Sequence, residues 1–399
     1  MNKVSFVSQN LETIPSDWEI SRYKYHIKIK NGFPFKSNYF DLEDGFPLIR
    51  IRDITKGEIK TFYKGEFSEE FIIKKDDLII GMDGDFNLRW WDGPDALLNQ
   101  RCCQIIKCKT LYLRFLYYLL PHQLQIINDV TYFTTVKHLS VFDLYEEPVL
   151  VPPIQEQRII SLYLDQKTQQ INSLIENISR KIELLKKEKI LLINQYVTKG
   201  LNPNVEMKDS GIEWIGEIPK HWEIMKLKYF MEIKTGRDPS KIYYEKGLYD
   251  VLGTGGVIGK TNQTMFNQTS LILGRKGTID KPFIHKKPFW ISDVVYYTES
   301  KSYITAEYLW FLFTQIDFSF YSYGSTVPSM SKNDYENMKF PIPPKEEVFD
   351  IRTLIEKTLL IKNELIQQYN RKKDLLKEYR TSLISSAVTG KIRIKEDMI

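Results

Sequence analysis

The chain contains the stretch IPSDWEI at residues 14–20 and, 204 positions later, the stretch IPKHWEI at residues 218–224. A second pair, LIIG at residues 78–81 and LILG at residues 271–274, matches at an offset of 193. A repeat of this length decides the fold, because each copy must form a similar structural unit. Two units of about 190 residues account for the 399 residues, a length that allows two to four domains.

The later matches keep a constant offset of 191 residues. They comprise the pairs Thr135-Val136/Thr326-Val327, Ser140/Ser331, Pro152-Pro153/Pro343-Pro344, Leu184/Leu375 and Val197-Thr198/Val388-Thr389. The falling offset earlier in the unit indicates loops of different length. Each unit therefore has a variable front part and a back part of fixed length. The alternative is an old duplication kept only for packing.

The back part of the first unit predicts one long helix, residues 154–199. Pro152 and Pro153 precede it and Gly200 follows it, the residues typical of helix starts and ends. Apolar residues alternate four and three apart, which is a heptad pattern that only Lys189 interrupts. The pattern runs through Ile171, Ile175, Ile178, Ile182, Leu185, Leu192 and Tyr196. A helix of this length extends about 70 Å.

The second unit predicts a matching helix at residues 345–389. Its seam contains Ile355, Ile366, Tyr369, Leu376 and Leu383, and is diluted by Lys362, Lys373 and Arg380. Neither seam would be stable alone in water, where its apolar side chains would be exposed, so the two helices are expected to pack on each other. If the front parts lie at opposite ends, the chain connectivity requires the helices to be antiparallel. A homodimeric coiled coil is the alternative.

The front parts carry most of the aromatic residues and glycines. Short apolar runs between turn residues, such as residues 46–51 and 271–273, predict strands. Each front part also contains one amphipathic segment, residues 111–128 and 305–314, that predicts a helix. The predicted fold class is α+β, with two α/β domains separated by two long antiparallel helices in an internal pseudo-twofold repeat.

Composition excludes several classes of protein. The 42% apolar and 27% charged residues are ordinary for a globular protein, and no apolar run reaches the ~18 residues of a membrane span. Without a signal-peptide core at its N-terminus, the chain is interpreted as cytoplasmic. Cys102, Cys103 and Cys108 make no disulfide framework, and the five histidines show no zinc-ligand spacing. We expect Cys102 and Cys103 to be packed in a strand.

Motifs for catalysis are missing. The stretch GTGGVIGKT at residues 253–261 suggests a phosphate loop, but Thr254 and Ile258 stand where a Walker A loop and a dinucleotide fingerprint need glycine. A glycine-rich hairpin that lets backbone approach a ligand is the preferred interpretation. The sequence also lacks the (Asn/Asp)-Pro-Pro-(Tyr/Phe) motif of amino-methyltransferases, a nuclease metal motif, a zinc-protease helix and a nucleophile elbow.

Several strings resemble the specificity subunits of type I restriction-modification systems. The segment KDSGIEWIGEIPKHW at residues 208–222 resembles the start of a recognition domain in that family. So do GFPFKS at 32–37, PLIRIRDI at 47–54, GMDGDFN at 81–87, LNQR at 98–101 and GRKG at 274–277. PPIQEQ at residues 152–157, before a long helix, completes a resemblance that covers essentially the whole chain.

This resemblance implies a non-catalytic subunit that binds double-stranded DNA. Residues 1–150 and 201–342 would each be a target recognition domain that reads one half of a bipartite site. The helical regions 151–200 and 343–391, before a tail at 392–399, would set the gap and dock two methyltransferase (modification) subunits. Restriction subunits, which are translocases, would join them. S-adenosylmethionine, ATP and Mg would be used by these partners, with no cofactor in this subunit.

Candidate base-reading side chains are those that make directed hydrogen bonds, such as Arg or Lys to guanine and Asn or Gln to adenine. In the first front part they are Lys36, Ser37, Arg52, Asn87, Arg89, Asn99, Gln100, Arg101, Thr135, Lys137 and His138. In the second they are Arg237, Thr254, Lys260, Asn262, Arg275, Lys276, Thr326, Ser329 and Lys332. A surface or structural role is the alternative for each. Trp90 and Trp91 are expected in the core or in a strand, with stacking on a base as the alternative, and Trp18 and Trp222 are expected to pack against the helices.

The net charge of +5 is unevenly distributed. Residues 1–153 carry 19 basic and 21 acidic side chains, and residues 200–343 carry 17 and 16. The two helical regions each carry three more basic than acidic residues. We therefore expect the free subunit to bind DNA weakly and to depend on its partners for phosphate contacts. The alternative function is a coiled-coil adaptor with two β-rich interaction domains and no DNA; an enzyme acting alone is disfavoured.

Overall fold

The computed structural model describes residues 14–106, 110–130, 137–318 and 328–399. The chain divides into two compact units, one of residues 1–177 with 372–399 and the other of residues 178–371. Each unit combines one β-rich front part, called a head below, with half of each of two long helices. These helices are α5 (Ile154–Lys199) and α8 (Lys345–Val388). Both predicted helices are confirmed to within one residue.

The first head contains the following elements: β1 (Glu19–Arg22), α1 (Tyr23–His26), β2 (Lys28–Asn31), β3 (Phe40–Asp41), β4 (Phe46–Ile49), α2 (Ile51–Lys56), β5 (Phe62–Tyr63), β6 (Ile72–Ile73), β7 (Leu78–Gly81), β8 (Leu88–Trp90), β9 (Ala96–Leu98), β10 (Cys102–Ile106), α3 (Leu113–Val130), α4 (Val141–Glu146) and β11 (Pro148–Val151). Its main sheet has the antiparallel order β2-β10-β7-β8, and a second sheet has the order β3-β5-β4-β9-β6. In the second sheet β4 and β9 are parallel.

The second head contains the following elements: β12 (Met207–Asp209), β13 (Glu217–Pro219), β14 (Glu223–Lys226), β15 (Met231–Thr235), β16 (Tyr249–Gly253), β17 (Gly256–Thr261), β18 (Ser270–Gly274), β19 (Phe283–His285), β20 (Phe289–Ile291), β21 (Val295–Ser300), α6 (Ala306–Phe313), α7 (Lys332–Asn337) and β22 (Lys339–Ile342). Its main sheet has the order β15-β21-β18-β19, and its smaller sheet has the order β17-β16-β20 with β16 and β20 parallel.

The two heads share one topology. In each, the strand that enters the head pairs with the strand that leaves it, as β1 with β11 and β14 with β22. The main sheets follow the same order, and the second sheet of each head contains an equivalent parallel pair, β4 with β9 and β16 with β20. The duplication predicted from the sequence is therefore a duplication of the fold.

The first unit buries the beginning of α5 and the end of α8 in the core of the first head. Ile160, Leu164 and Ile171 of α5 join Leu383 and Val388 of α8 in that core. Arg380 donates a hydrogen bond to Asn172 between the two helices. The beginning of one helix thus lies beside the end of the other.

In the second unit the end of α5 and the beginning of α8 are buried in the core of the second head. Ile193 and Val197 of α5 share a core with Val348, Ile351 and Ile355 of α8. Lys189 Nζ donates to Asn363 Oδ1 over 2.5 Å, in the positions equivalent to Arg380 and Asn172. In both units the paired segments run antiparallel, as the connectivity argument predicts.

The side of α5 that carries the heptad seam is the side shielded from solvent. Ile171, Ile178 and Ile182 are buried, whereas Leu184 and Leu191 are 58% and 68% exposed. In α8, Lys362 lies on the seam with only 14% of its side chain exposed and pairs with Glu188 at 2.8 Å. Charged residues that dilute the seam are thus matched by partners on the facing helix.

One tryptophan in each unit attaches the head to the helices. Trp18 Nε1 donates to Glu156 Oε2 over 3.1 Å at the start of α5, and Trp222 Nε1 donates to Glu347 Oε2 over 3.0 Å at the start of α8. Each ring also lies against a glycine with φ near +75° that ends the other helix, Gly390 or Gly200. The expected packing of both tryptophans on the helices is confirmed.

Two details of the predicted heads are wrong. The apolar run 46–51 is a strand only to Ile49, because Asp53 Oδ2 accepts a hydrogen bond from Arg50 N (2.9 Å) and starts α2 at Ile51. Each head also contains more than one helix. The predicted amphipathic helices are present as α3 and α6, and short helices such as α4 and α7, whose capping serines are Ser140 and Ser331, accompany them.

Candidate nucleic-acid interface

A group of adjoining loops lies at one end of the main sheet of the first head. It consists of residues 81–87, 99–101 and 137–139, and we call it the first loop cluster. Gly84 N donates to Lys137 O over 3.0 Å, and Leu139 N donates to Met82 O over 2.7 Å. Gly84 has φ +75°, and a Cβ there would meet no atom within 4 Å. The backbone at Gly84 is therefore open to close approach by a large ligand.

Two predicted side chains, Arg101 and His138, meet the carboxylate of Asp83 in this cluster. His138 Nδ1 lies 2.6 Å from Asp83 Oδ1, and Arg101 Nη1 lies 3.5 Å from Asp83 Oδ2. The side chains of Arg101 and His138 are 57% and 49% exposed, whereas that of Asp83 is 20% exposed. Lys137 points elsewhere, since its Nζ contacts Asn128 O at 2.8 Å at the end of α3. The cluster thus presents two exposed nitrogen donors around a half-buried carboxylate.

The second head has an equivalent group of loops, residues 274–278, 292–294 and 328–330, the second loop cluster. Gly277 N donates to Pro328 O over 2.9 Å, and Met330 N donates to Arg275 O over 3.1 Å. Arg275, Lys276 and Ser329 are exposed here, and Arg275 Nη1 donates to Asp293 O over 3.1 Å. Two cations and a hydroxyl therefore face solvent at the place where the first head has Asp83, Arg101 and His138.

The glycine-rich stretch is a β-hairpin. Gly253 pairs with Gly256 at the end of β16 and the start of β17, and Gly256 has φ +112°. No helix follows, so the geometry of a phosphate-binding loop is absent from this stretch. Thr254 at the turn lies beside the second loop cluster, because its Oγ1 is 3.7 Å from where a Cβ of Gly277 would be.

Lys260 and Asn262 lie at the other end of this hairpin. Lys260 pairs with Asp250 at 2.7 Å, and Asn262 Oδ1 accepts a hydrogen bond from Leu248 N over 3.3 Å. Five residues separate Lys260 from Thr254, and the part of β17 from Gly256 to Lys260 alone spans about 13 Å. The structure therefore does not bring these two predicted residues to the second loop cluster.

The remaining predicted residues occupy varied places. Lys36, Ser37 and Gln100 are exposed, and so is Arg237, whose carbonyl accepts a hydrogen bond from Trp290 Nε1 over 3.1 Å. Asn87 is half-buried, and Lys332 lies 3.5 Å from Glu336 within α7. Thr135 and Thr326 lie outside the described residues.

Three predicted readers are held by contacts within the head. Arg52 Nη2 donates to Thr61 Oγ1 over 3.0 Å, although 53% of its side chain is exposed. Arg89 contacts Ile54 O at 3.3 Å and Asp92 at 3.0 Å, and Asn99 is buried to 9% exposure. Arg52 and Arg89 thus each have guanidinium nitrogens engaged within the head, and Asn99 is almost inaccessible.

Aromatic and thiol side chains of the first head have structural positions. Trp91 is fully buried, and Trp90 stacks with the Arg114 guanidinium at 4.6 Å. Cys102 and Cys103 are buried in β10, and burial raises the pKa of the Cys103 thiol to about 12. A thiol with a pKa this high is not a nucleophile at neutral pH. Cys108 lies outside the described residues.

The described parts of the chain contain no group of three or more His, Cys, Asp or Glu side chains placed to hold a metal ion. Within these same parts, no helix has the length and apolar character needed to cross a membrane.

Asp83 was not among the predicted residues. The predicted set contains side chains that donate hydrogen bonds to bases, and a carboxylate only accepts them. The signal for Asp83 in the sequence is its position, two residues after the buried strand β7 and directly before Gly84, which is repeated as Gly277.

A family model for the "Type I restriction modification DNA specificity domain" matches the chain twice, at residues 15–184 and 219–387. The EcoBI specificity subunit of Escherichia coli is 42% identical over 172 residues, which is 43% of this chain and 36% of that protein. A putative MjaX specificity subunit of Methanocaldococcus jannaschii is 26% identical over 439 residues, which is 98% of this chain and 97% of that one.

Solved structures share the fold. A chain from a study of complex assembly and conformational transition of the type I R-M system aligns with a TM-score of 0.71 at 16% identity, over 95% of this chain and 99% of that one. The HsdS subunit from Thermoanaerobacter tengcongensis aligns with a TM-score of 0.57 at 14% identity, over 95% and 98% of the two chains.

Proposed function

Because the chain belongs to the type I restriction modification DNA specificity family, and carries two copies of its domain, we propose that each head reads one half of a bipartite, asymmetric DNA site. The chain is the specificity subunit of a type I restriction-modification system, with two target recognition domains. The bases read and the gap between the half-sites are properties of the loops and helices described above.

One observation carries this proposal. The two loop clusters share backbone geometry, with equivalent bridges Asp83–His138 and Lys276–Ser329, while their side chains differ in charge and shape. Two copies of one backbone scaffold that carry different side chains are suited to recognise two different DNA sequences. Different heads imply a site that is not palindromic, since the symmetry of a site follows the symmetry of its reader.

We propose that α5 and α8 set the gap and dock two methyltransferase subunits. In support, apolar side chains on these helices remain exposed, among them Leu191 (68%), Leu360 (61%) and Tyr379 (55%). Exposed apolar residues along the helices are the kind of surface that partner proteins cover. The name of one structural neighbour, which refers to complex assembly, agrees with a role in a larger complex.

The chemistry would then belong to the partners. We propose that this subunit is non-catalytic and binds no cofactor, that the methyltransferase subunits use S-adenosylmethionine, and that restriction subunits use ATP and Mg. Its place would be the cytoplasm, with chromosomal DNA. Buried Cys102 and Cys103 and the hairpin at residues 253–256 offer no catalytic group in support of an enzyme acting alone.

The test is an exchange of heads. Residues 23–147 would be replaced by the equivalent residues of a relative, and the chimera co-expressed with the cognate methyltransferase subunit. Methylated adenines would then be mapped in the host chromosome by sequencing. One half of the motif should change and the other half, with the gap, should remain. A β-rich adaptor without DNA-reading function would leave the chimera and the parent with the same methylation.

A further inference from the structure

We propose that Asp83 is a positioning residue of the first recognition domain, whose carboxylate holds Arg101 and His138 in place to contact base edges. This inference rests on the proposed function and deepens it, because it names the side chains by which the first half-site is read.

The backbone at this place is the same in both heads. Asp83 and His138 form an isolated antiparallel bridge, and so do Lys276 and Ser329. The glycine that follows has φ +75° in the first head and +87° in the second, and its N–H donates to the carbonyl of the residue before the bridge partner in both. The fold therefore presents the two bridged side chains from equivalent positions.

The side chains on this common backbone differ. The first head has a carboxylate and an imidazole, with Arg101 adjacent to them, and the second has an ammonium and a hydroxyl. Val294 stands where the first head has Arg101, by the offset of 193 residues. The two heads thus share the backbone at this place but carry different hydrogen-bonding groups. This is the difference that recognition of two different base sequences requires.

Asp83 is suited to orient donors. One oxygen lies 2.6 Å from His138 Nδ1 and the other 3.5 Å from Arg101 Nη1, so the carboxylate engages both neighbours. A bare carboxylate at a DNA surface would repel phosphates, but this one is 20% exposed and faces two nitrogen donors. Arg101, at 57% exposure, keeps donors free for a base.

The expected contact follows from the geometry of arginine. A guanidinium reads guanine through two parallel hydrogen bonds to O6 and N7, and this requires a fixed plane. A carboxylate beside one Nη restricts the rotation of that plane. Lysine at the same position would keep the charge but lose the paired donors.

The experiment maps methylated adenines in the host chromosome for complexes that contain the wild-type chain, Asp83→Asn or Arg101→Lys. Both variants should relax the same single base pair of the first half-site, with discrimination there falling about 10-fold. The second half-site and the gap should be unchanged. Asp44→Asn serves as the control, because Asp44 is 82% exposed and pairs only at the surface, with Lys64.

The inference is overturned if Asp83→Asn leaves the motif intact, if it lowers methylation equally at every site, or if the two variants relax different base pairs. If Asp83→Asn abolishes methylation, Arg101→Lys must still relax one base pair of the first half-site, and an unaltered motif would refute the assignment. A wild-type chain that directs no bipartite motif would instead refute the proposed function.

Discussion

Gly32 and Gly236 are equivalent residues that both admit no side chain. A Cβ at Gly32 would lie 2.2 Å from Asn99 O, and one at Gly236 would lie 1.9 Å from Ser292 O. Both carbonyls belong to the turns that lead into β10 and β21, and these turns are part of the two loop clusters. Since backbone atoms cannot move aside cheaply, these glycines fix where those turns lie.

Gly236→Ala should therefore lower the free energy of unfolding by more than about 2 kcal/mol, measured by urea denaturation. Gly255→Ala is the matched control in the same head, since a Cβ there meets no atom within 4 Å. Its effect should stay within about 1 kcal/mol. Equal effects of the two substitutions would contradict the close approach to Ser292.

Two histidines, the buried His26 and the half-buried His285, should make the free energy of unfolding depend on pH. Burial lowers the pKa of both side chains. The negative charge of Glu19 offsets part of the decrease at His26, and that of Asp250 offsets part of the decrease at His285. As pH falls below the ordinary value of 6.5, the unfolded chain binds protons that the folded chain resists, so the free energy of unfolding decreases.

The measurement compares urea midpoints at about pH 7.5 and about pH 5.5. The wild-type chain should be less stable at the lower pH, and the double variant His26→Gln/His285→Gln should show a smaller difference between the two. This window lies above the range in which carboxylates titrate. A double variant with the full wild-type difference would show that other groups are responsible.

The sequence predicted some of the individual residues that lie in the two loop clusters. Arg101, His138, Arg275, Lys276 and Ser329 were predicted and lie in the loop clusters, although whether they bind DNA remains a prediction. Arg89 and Asn99 could not be told apart from them, because local sequence does not reveal that a guanidinium contacts Ile54 O or that an amide is buried. Such contacts depend on chain segments distant in sequence.

Among the elements, the long helices were predictable and the short ones were not. A heptad pattern within a proline-free segment of more than 40 residues, bounded by proline and glycine, leaves few alternatives. The helix α2 follows β4 after one residue, and its apolar Ile51 continues the strand pattern. Its start depends on a single contact of Asp53 with Arg50 N, and its end on Gly57 with φ +70°.

If α5 and α8 set the gap, their length should determine it. Residues 185–191 of α5 and 360–366 of α8 face each other around the pairs Glu188–Lys362 and Lys189–Asn363. Duplicating both segments adds one heptad to each helix, keeps the seam in phase and adds about 10 Å. The mapped gap should then lengthen by about three base pairs.

Duplicating the heptad in α5 alone is the control, because it leaves seven residues of the seam without a facing partner. That variant should lose stability and complex formation instead of gaining a longer gap. If the chain with both helices extended is fully active and its gap is unchanged, the helices do not determine the distance between the half-sites.

For the whole molecule, the distribution of charge predicts weak DNA binding by the free subunit. The heads are nearly neutral, with 36 basic against 37 acidic residues in 1–153 and 200–343 together, and phosphate contacts dominate affinity for DNA. The free chain should bind a duplex that contains the mapped site at least about 100-fold more weakly than the complex with methyltransferase subunits does. Its affinity should also depend less steeply on salt.

Fluorescence anisotropy at about 50 and about 200 mM salt would measure both quantities with one labelled duplex. A duplex of the same composition with scrambled half-sites is the control. Equally tight, sequence-specific binding by the free chain and by the complex would show that the heads alone supply the contacts.

The division of the chain into units has a consequence for its synthesis. The second unit is one continuous segment, residues 178–371, whereas the first unit needs residues 372–399 to complete a core that contains Leu383, Ala387, Val388 and Ile394. On the ribosome, the first head must wait for residues that are made only after the whole second unit has been synthesised. The nested unit can be complete while the first head still lacks the end of α8, so the order of maturation is the reverse of the order of translation.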